Sequence, residues 1–371
     1  MNTVSQVLTN VQASVSEISD QSAELFQFHR GQDVVFMLML VAFLMMFIRR
    51  YEWGVALATL LVFATVFPLY IFAQQVFFDA EMGVGLVIGA AFAAITLVIA
   101  IGVFLGHIST ISYLIVGILF VPSYMIIEWF LFEALQGTLD AGGSILVHMF
   151  AAYWGWGVIL GLRNKAVNDE PADTSVHSVS FVWLASMLLM VLWPSFVTAL
   201  VEPEYIILGL SNTYLAMVGS ILTTYVLLWA LKRTIDPLVF TYAILAGGVA
   251  IGASVDLVTT WQAWLIGLVA GAVSTLSFVF LDEWLRAKTG VWDTMGVHNL
   301  HGVPGILGGL MPIAFGHAGG TQAIAVVGTI VIALVLGFIV GLILKVMPKP
   351  TKMLDDVEAF PAEEMRATDP A

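Results

Sequence analysis

The chain has 371 residues, of which 60% are hydrophobic and 11% are charged, and its net charge is −13. Soluble domains are about 45–50% apolar and about 25% charged, so this composition excludes an ordinary soluble fold and indicates a polytopic membrane protein. The chain has no cysteine, which excludes disulfides, thiolate metal sites and cysteine nucleophiles. With 13 Lys and Arg residues, nucleic acid is not expected as a partner.

The first 30 residues form a polar N-terminal segment rich in Ser, Gln, Val and Glu. The segment has neither a basic start nor a long apolar core, so it does not fit a cleavable signal peptide. We expect residues 1–30 to form a loose or amphipathic segment outside the membrane.

Long apolar runs begin at Val34, each close to the roughly 20 residues that a helix needs to cross a bilayer. A transmembrane β-barrel would instead show short alternating segments. The sequence therefore predicts an all-α polytopic membrane protein with eleven transmembrane helices, at about 34–48, 54–74, 83–104, 110–133, 142–162, 178–200, 206–231, 237–255, 261–281, 294–315 and 321–345.

The basic residues predict the orientation of these helices. They follow the odd-numbered spans one, five, seven, nine and eleven, and apart from Arg30, which precedes the first span, none lies elsewhere: Arg49, Arg50, Arg163, Lys165, Lys232, Arg233, Arg286, Lys288, Lys345, Lys349, Lys352 and Arg366. Cytoplasmic loops carry the excess of Lys and Arg, so the N-terminus is predicted outside and the C-terminus in the cytoplasm. The short tail, 349–371, is acidic and is predicted to be cytoplasmic.

Two histidines lie in matched frames, each eight residues after an aspartate: Asp140 precedes His148, and Asp293 precedes His301. Eight residues are two helical turns, or roughly 12 Å, so each aspartate is expected near a helix end and each histidine deep within the helix. A lone histidine on an apolar helix is usually a core residue. Two in matched frames favour a functional pair, because ionisable groups at membrane depth are rare and mark pathways.

The two frames fall in spans five and ten, which predicts two inverted five-helix repeats plus one additional helix. The repeats would cover about 31–165 and 176–316, with helix eleven at about 321–345, together forming a channel domain over 31–348. Inverted repeats place their site at the bilayer midplane. We therefore expect His148 and His301 to face each other there, supported by glycines that permit close helix approach.

The two aspartates are predicted to have structural roles, and His298 raises the question of a metal site. Asp140 is predicted to accept the amides of Gly142 and Gly143 at a helix start, and Asp293 with Thr294 to cap a helix. His298 and His301 are spaced i and i+3, but no carboxylate or cysteine completes a metal site, so we expect no metal and no cofactor. No nucleophile–base pair indicates an enzyme.

Several sequence runs resemble those of Rhesus (Rh) glycoproteins, members of the ammonium transporter and Rh (Amt/Mep/Rh) superfamily. The resemblance covers roughly residues 31–345 and is closer to prokaryotic-type Rh proteins than to Amt proteins. It is carried by HNLHGVPGILGG with DT upstream, DAGGSILVHMFAAYWG, WPSF at Trp193 to Phe196, LAGGVAIG at Leu245 to Gly252, and FLMMFIRRYEWG at Phe43 to Gly54.

The resemblance implies a role for each site residue. The paired pore histidines fall on His148 and His301. The two stacked phenylalanines that close the outer end of the pore fall on Phe92, in GAAFAA, and Phe196, in WPSF. Two acidic residues fall on supporting positions: Asp140, which would shape the site electrostatically, and Glu128, at the outer vestibule, where Amt proteins carry an aromatic residue.

The resemblance also implies a function. Ammonium would lose its proton at the outer vestibule, and neutral ammonia would pass a hydrophobic twin-histidine pore in each subunit of a homotrimer in the plasma or inner membrane. Methylammonium is a further expected substrate. A carbon dioxide channel, electrogenic ammonium transport with a proton relay along the histidines, and a non-transporting sensor remain alternatives.

Overall fold

The computed structural model describes residues 2–168, 174–350 and 356, and this part of the chain is built from helices. Eleven long helical segments follow one another along the chain. They are α1 (Asn2–Met45), α2 (Glu52–Phe78), α3 (Val84–Phe104), α4 (Ser112–Ala134), α5 (Ser144–Leu162), α6 (Val176–Val197), α7 (Pro203–Lys232), α8 (Pro237–Ser254), α9 (Thr260–Thr289), α10 (298–314) and α11 (Gly320–Leu344).

The predicted all-helical membrane fold is confirmed. Ten of these helices are long and apolar enough to cross a membrane, counted over the described residues. The remaining helix, α10, is shorter than the other ten because the chain leading into it, from Val291 to Val297, is largely irregular. The protein is thus a multi-pass membrane protein.

The first helix is longer than the apolar run that predicts it. Residues 2–33 continue the same helix that crosses the membrane, and residues 5–22 are exposed along their whole length. Residues 2–30 of the N-terminal segment are therefore helical. Hydropathy locates only the membrane-embedded part of α1, from Val34 onward.

The inverted repeat is visible in matching irregularities of the helices. The third and eighth spans both end in a 3-10 turn, at Gly102–Phe104 and Gly252–Ser254. The fourth and ninth both contain a π-helical turn, at Phe130–Ala134 and Ser277–Leu281. The fifth and tenth both begin with one, at Ser144–Met149 and His298–Gly302. Such turns often mark functional sites.

Two equivalent backbone hydrogen bonds join the repeats. The amide of Gly142 donates to the carbonyl of Gly252 at 2.8 Å, and the amide of Thr294 donates to the carbonyl of Val103 at 3.1 Å. In each case the chain just before a histidine-bearing helix is tied to the 3-10 turn of the opposite repeat. The histidine-bearing helices are thus anchored from both halves of the molecule.

Most of the predicted tail, 349–371, lies outside the described residues. Within it, the buried carboxylate of Asp356 accepts the amides of Trp53 at 2.7 Å and Gly54 at 2.8 Å, at the start of α2. A carboxylate at a helix N-terminus satisfies free amides and complements the helix dipole. Asp356 is therefore held against the end of α2 that follows the Arg49–Arg50 pair.

Candidate functional site

A buried aspartate begins each of the two histidine-bearing helices. The carboxylate of Asp140 accepts the amide of Leu146 at 2.7 Å and the amide of Ile145 at 3.0 and 3.1 Å. Its predicted partners, Gly142 and Gly143, are wrong, because the chain loops through these glycines and Gly143 adopts φ +74° before the helix begins. The first free helix amides consequently lie farther along the chain.

Asp293 occupies the equivalent position before α10. Its two oxygens accept the amides of Val297 at 3.0 Å and His298 at 2.7 Å, which confirms the predicted helix cap. Because each cap is followed by non-helical residues and then a π-helical turn, both histidines lie in the first turns of their helices. The expectation that they lie deep within the helices is therefore wrong.

The structure brings His148 and His301 together. Their Nδ1 atoms are 3.1 Å apart and their ring centroids are 5.1 Å apart, with an angle of 17° between the ring planes. Both side chains are buried. The helices that carry them run in opposite directions, since Cβ atoms placed on Gly302, Gly305 and Gly308 would meet Ala152, Met149 and Ser144 in that order.

The Nδ1–Nδ1 contact fixes complementary tautomers. In a neutral pair, one Nδ1 donates and the other accepts, so one ring carries its proton on Nδ1 and the other on Nε2. One Nε2 is then an acceptor and the other a donor. The Nε2 of His148 is buried and has no hydrogen-bond partner in the described part of the chain, so it is available to a small molecule.

Aromatic rings cover one side of the histidine pair. The ring of Phe196 lies 5.6 Å from that of His148, and the ring of Phe92 lies 4.8 Å from that of Phe196. The two phenylalanine planes meet at 53°, so they are tilted rather than stacked. Both side chains are buried.

Trp193 is a further site residue that the sequence analysis did not single out. Its ring stacks on His148 at 5.6 Å, with 17° between the planes, on one of the two ring faces. A Cβ on Gly248 would collide with the indole, so this glycine leaves the space that the ring needs. The signal was present in the WPSF run, where Trp193 and Phe196 are three residues apart and thus on one helical face.

Glu128 lies in the last turns of α4, the helix that precedes α5 in the chain. Its carboxylate accepts hydrogen bonds from the hydroxyl of Tyr70 at 2.8 Å and from the side-chain amide of Gln74 at 3.1 Å. Tyr70 in turn packs edge-on against Tyr124, with centroids 5.8 Å apart. The carboxylate is therefore held in place by α2.

A small cavity adjoins His301. Its volume of about 20 Å³ is sufficient for one molecule of the size of water. His301 and Tyr242 are its polar lining residues, and the hydroxyl of Tyr242 already donates to the carbonyl of Leu44 at 2.9 Å. The other lining residues are apolar: Val41, Leu44, Met45, Val98, Ile99, Met295, Val297 and Leu300.

His298, three residues before His301, contacts a tyrosine. The Nε2 of His298 lies 3.3 Å from the hydroxyl of Tyr153. Within the described residues, no group of three His, Cys, Asp or Glu side chains is arranged to hold a metal ion.

These features define a polytopic membrane protein in which two inverted repeats enclose a buried pair of histidines in apolar surroundings. The model of the ammonium transporter family matches residues 23–358. The chain therefore belongs to this family, and within it to the Rh proteins.

Individual relatives agree with this placement. The chain is 34% identical to the ammonium transporter Rh type A of Canis lupus familiaris, over 79% of this chain and 73% of that protein. It is 35% identical to Nitrosomonas europaea Rh50, of the Rhesus family of channels, whose solved structure superposes with a TM-score of 0.88 over 94% of this chain and 96% of that one. A sensor Amt protein, 20% identical, shares the fold with a TM-score of 0.79 over 95% and 98% of the two chains.

Proposed function

We propose that this protein transports ammonium by conducting neutral ammonia past His148 and His301, after ammonium has lost its proton at the outer vestibule. The observation that carries this assignment is the 3.1 Å contact between the two Nδ1 atoms, in a buried and otherwise apolar setting. The related proteins named ammonium transporters and the Rh channel structure support the substrate.

Apolar walls favour the neutral molecule over the ion. Moving an ammonium-sized ion from water into a dry interior costs on the order of 20 kcal/mol by the idealised Born estimate, and still several kcal/mol in real proteins. Phe92 and Phe196 would strip water from the arriving ion. At this barrier the dehydrated ion is so costly that loss of its proton to the outer side becomes the easier path.

The histidine pair gives ammonia hydrogen bonds that the apolar walls lack. Ammonia has three donors and one acceptor, and the two Nε2 atoms offer one acceptor and one donor when the rings share a single proton between their Nδ1 atoms. A molecule passing the pair can therefore exchange one histidine for the other. The small cavity beside His301 is the next position along this path.

Glu128 and Asp140 would support the path from their fixed positions. A carboxylate near the outer vestibule raises the local concentration of cations. Without the aromatic residue that Amt proteins carry there, recruitment by cation–π contact would be weaker. Asp140 holds the first turn of α5, and with it His148, in place.

We further infer a homotrimer with one pathway in each subunit, lying in the plasma or inner membrane. The N-terminus would be outside and the C-terminus in the cytoplasm, as the distribution of Lys and Arg predicts. The tail would then be held by Asp356 at the cytoplasmic end of α2.

The substrate is tested with the full chain in proteoliposomes that contain a pH-sensitive dye. An inward ammonium gradient should make the lumen alkaline faster than in protein-free vesicles, because entering ammonia takes up a proton. An inward carbon dioxide gradient should acidify both preparations at the same rate. If the protein speeds acidification by carbon dioxide but not alkalinisation by ammonium, it is a carbon dioxide channel. If it changes neither rate relative to protein-free vesicles, it is a non-transporting sensor.

A further inference from the structure

Most exposed large apolar residues in the N-terminal part of α1 follow an alternation of three and four residues, and the others, Val7, Phe26 and Phe28, lie on either side of that line. The positions are Leu8, Val11, Val15, Ile18, Ser22 and Leu25, which we call the seam. Apart from Ser22 they are apolar, and each of these apolar side chains is between 54% and 64% exposed. An average spacing of 3.5 residues is the repeat of a left-handed coiled coil, with Leu8, Val15 and Ser22 at a positions and Val11, Ile18 and Leu25 at d positions.

The charges of this segment avoid the seam. Glu17, Asp20 and Glu24 fall at the c and f positions of the heptad, on the opposite face of the helix. Residues 2–29 contain no Lys or Arg. An amphipathic helix that lies on a bilayer normally has Lys and Arg along its polar face, so the charge pattern disfavours a lipid surface as the partner.

The seam continues into the membrane-embedded part of α1. Between Gly31 and Met45 the exposed residues are Gln32, Phe36 and Phe43, and all three fall on the a and d positions of the same heptad. A groove of about 710 Å³ runs beside this line, between α1 and α3, with Phe36, Met39 and Val87 among its lining residues. One uncovered line therefore extends along α1 from Leu8 to Phe43.

A single helix of this composition needs a partner in water. Residues 5–22 contact no other part of the described chain closely enough to be buried. They are rich in Ser and Val, which are weaker helix formers than Ala or Leu. Most helical stability in proteins comes from packing of an apolar face, so a free helix of this length would be marginal.

We propose that the N-terminal helices of three copies of this chain form a parallel coiled coil along the seam, as a stalk projecting from the outer face of the channel. The pairs Leu8–Val11 and Val15–Ile18 have Leu or a β-branched residue at a and a β-branched residue at d, a pattern that favours three or four strands over two. The count of three rests on the trimer proposed above, whereas the seam does not depend on conduction. Residues 5–29 would give a stalk of roughly 38 Å at 1.5 Å per residue.

This stalk adds to what the family assignment provides. The match to the family model begins at residue 23, so most of the seam precedes it. The partner is the same segment of a second and a third copy, because a seam of this pattern is complementary to itself in parallel register. Ser22, a polar residue at an a position, would help to fix that register.

Cysteine cross-linking tests the stalk directly, since the chain has no native cysteine. In the full-length protein in membranes, Ile18→Cys places a thiol in the seam and Ala13→Cys places one at an outer f position. Mild oxidation should convert Ile18→Cys into covalent dimers and leave Ala13→Cys monomeric. Absence of Ile18→Cys dimers, or equal cross-linking of both variants, would overturn the stalk.

Two further measurements separate the other outcomes. A fluorophore on Ile18→Cys should not be quenched by brominated lipids, and strong quenching would place the helix on the bilayer and overturn the stalk. Spin labels on Ala13→Cys should report three coupled spins per assembly, and two or four would contradict the count. The double variant Val11→Asp/Ile18→Asp should lower the temperature at which the oligomer dissociates while ammonia flux stays unchanged, so failure of the stalk is distinguishable from failure of the conduction proposal.

Discussion

The Nδ1 atom of His148 lies 3.1 Å from the Nδ1 atom of His301, across the interface between two antiparallel helices. The contact has one proton for two nitrogens when both rings are neutral, so the rings act as a unit with one donor and one acceptor Nε2. Protonating both rings would place two donors against each other. The contact is thus compatible with a neutral pair and incompatible with two protonated rings.

Replacing either histidine by alanine should slow ammonia flux in proteoliposomes by about fivefold, because each change removes a hydrogen bond worth roughly 1 kcal/mol and leaves the other Nδ1 without its partner. The measurement is the initial rate of internal alkalinisation after an ammonium gradient is imposed. His177→Ala, on an exposed position of α6, is the matched control and should retain the normal rate. Normal rates in both His148→Ala and His301→Ala, with oligomers intact, would remove the pair from the pathway.

Replacing Phe196 by alanine should open the apolar barrier to water. The ring contacts both Phe92 and His148, so its loss leaves a space above the histidine pair. We expect the osmotic water permeability of proteoliposomes to rise severalfold, as measured by light scattering after an osmotic step. Phe280→Ala is the control, since Phe280 is 58% exposed on the outside of α9. A water permeability equal to that of the control would show that Phe196 is not the barrier.

Asp140 and Asp293 should respond alike to substitution by alanine if both are mainly helix caps. Each accepts two backbone amides, and loss of a cap costs about 0.5–2 kcal/mol, with the upper end expected for these buried sites. We expect each variant to lose several degrees of thermal stability in detergent. Asparagine retains one acceptor oxygen and should be milder at both positions. If Asp140→Asn abolished flux with normal stability while Asp293→Asn did not, Asp140 would act on the substrate electrostatically rather than as a cap.

His107 predicts a pH-dependent stability. The ring lies in the segment between α3 and α4, and neither of its nitrogens has a hydrogen-bond partner in the described chain. Burial lowers the pKa of His107 to about 4, below its ordinary value of 6.5. The unfolded chain therefore binds the proton more readily, so stability is unaffected above pH 6.5 and is lost as the pH falls toward 4, by about 3 kcal/mol at most.

The change His107→Leu should remove part of this acid sensitivity. The measurement is the difference in thermal unfolding temperature between pH 7 and pH 4.5, for the variant and for His177→Leu as an exposed control. The control should keep the pH dependence of the unchanged protein. An identical pH dependence in His107→Leu would mean that His107 is already protonated or exposed in the folded state.

The sequence predicted what depends on spacing and hydropathy. Eleven apolar runs and two Asp-x7-His frames were sufficient to place His148 opposite His301 on inverted helices, because span length and helix direction determine both. The extension of α1 was missed because hydropathy detects only the membrane-embedded part of a helix. The heptad line that begins at Leu8 is a periodicity and would have indicated it.

Local geometry could not be read from the sequence. The partners of Asp140 depend on where the chain re-enters a helix after Gly143, and the π-helical turns at both histidines have no pattern in residue type. The stacking of Trp193 on His148 joins α6 to α5, the first helix of the second repeat to the last helix of the first. Such contacts follow from the packing of the two repeats, which spacing within one helix does not specify.

Whether the permeating species is ammonia or ammonium decides the central claim. Proteoliposomes can be assayed in parallel for internal pH, with an entrapped dye, and for charge movement, on a solid-supported membrane, under the same ammonium gradient. Conduction past a neutral histidine pair predicts rapid internal alkalinisation without a sustained current, and loss of the alkalinisation in His148→Ala. A sustained inward current that disappears in the same variant would contradict it and would show that the proton crosses along the histidines.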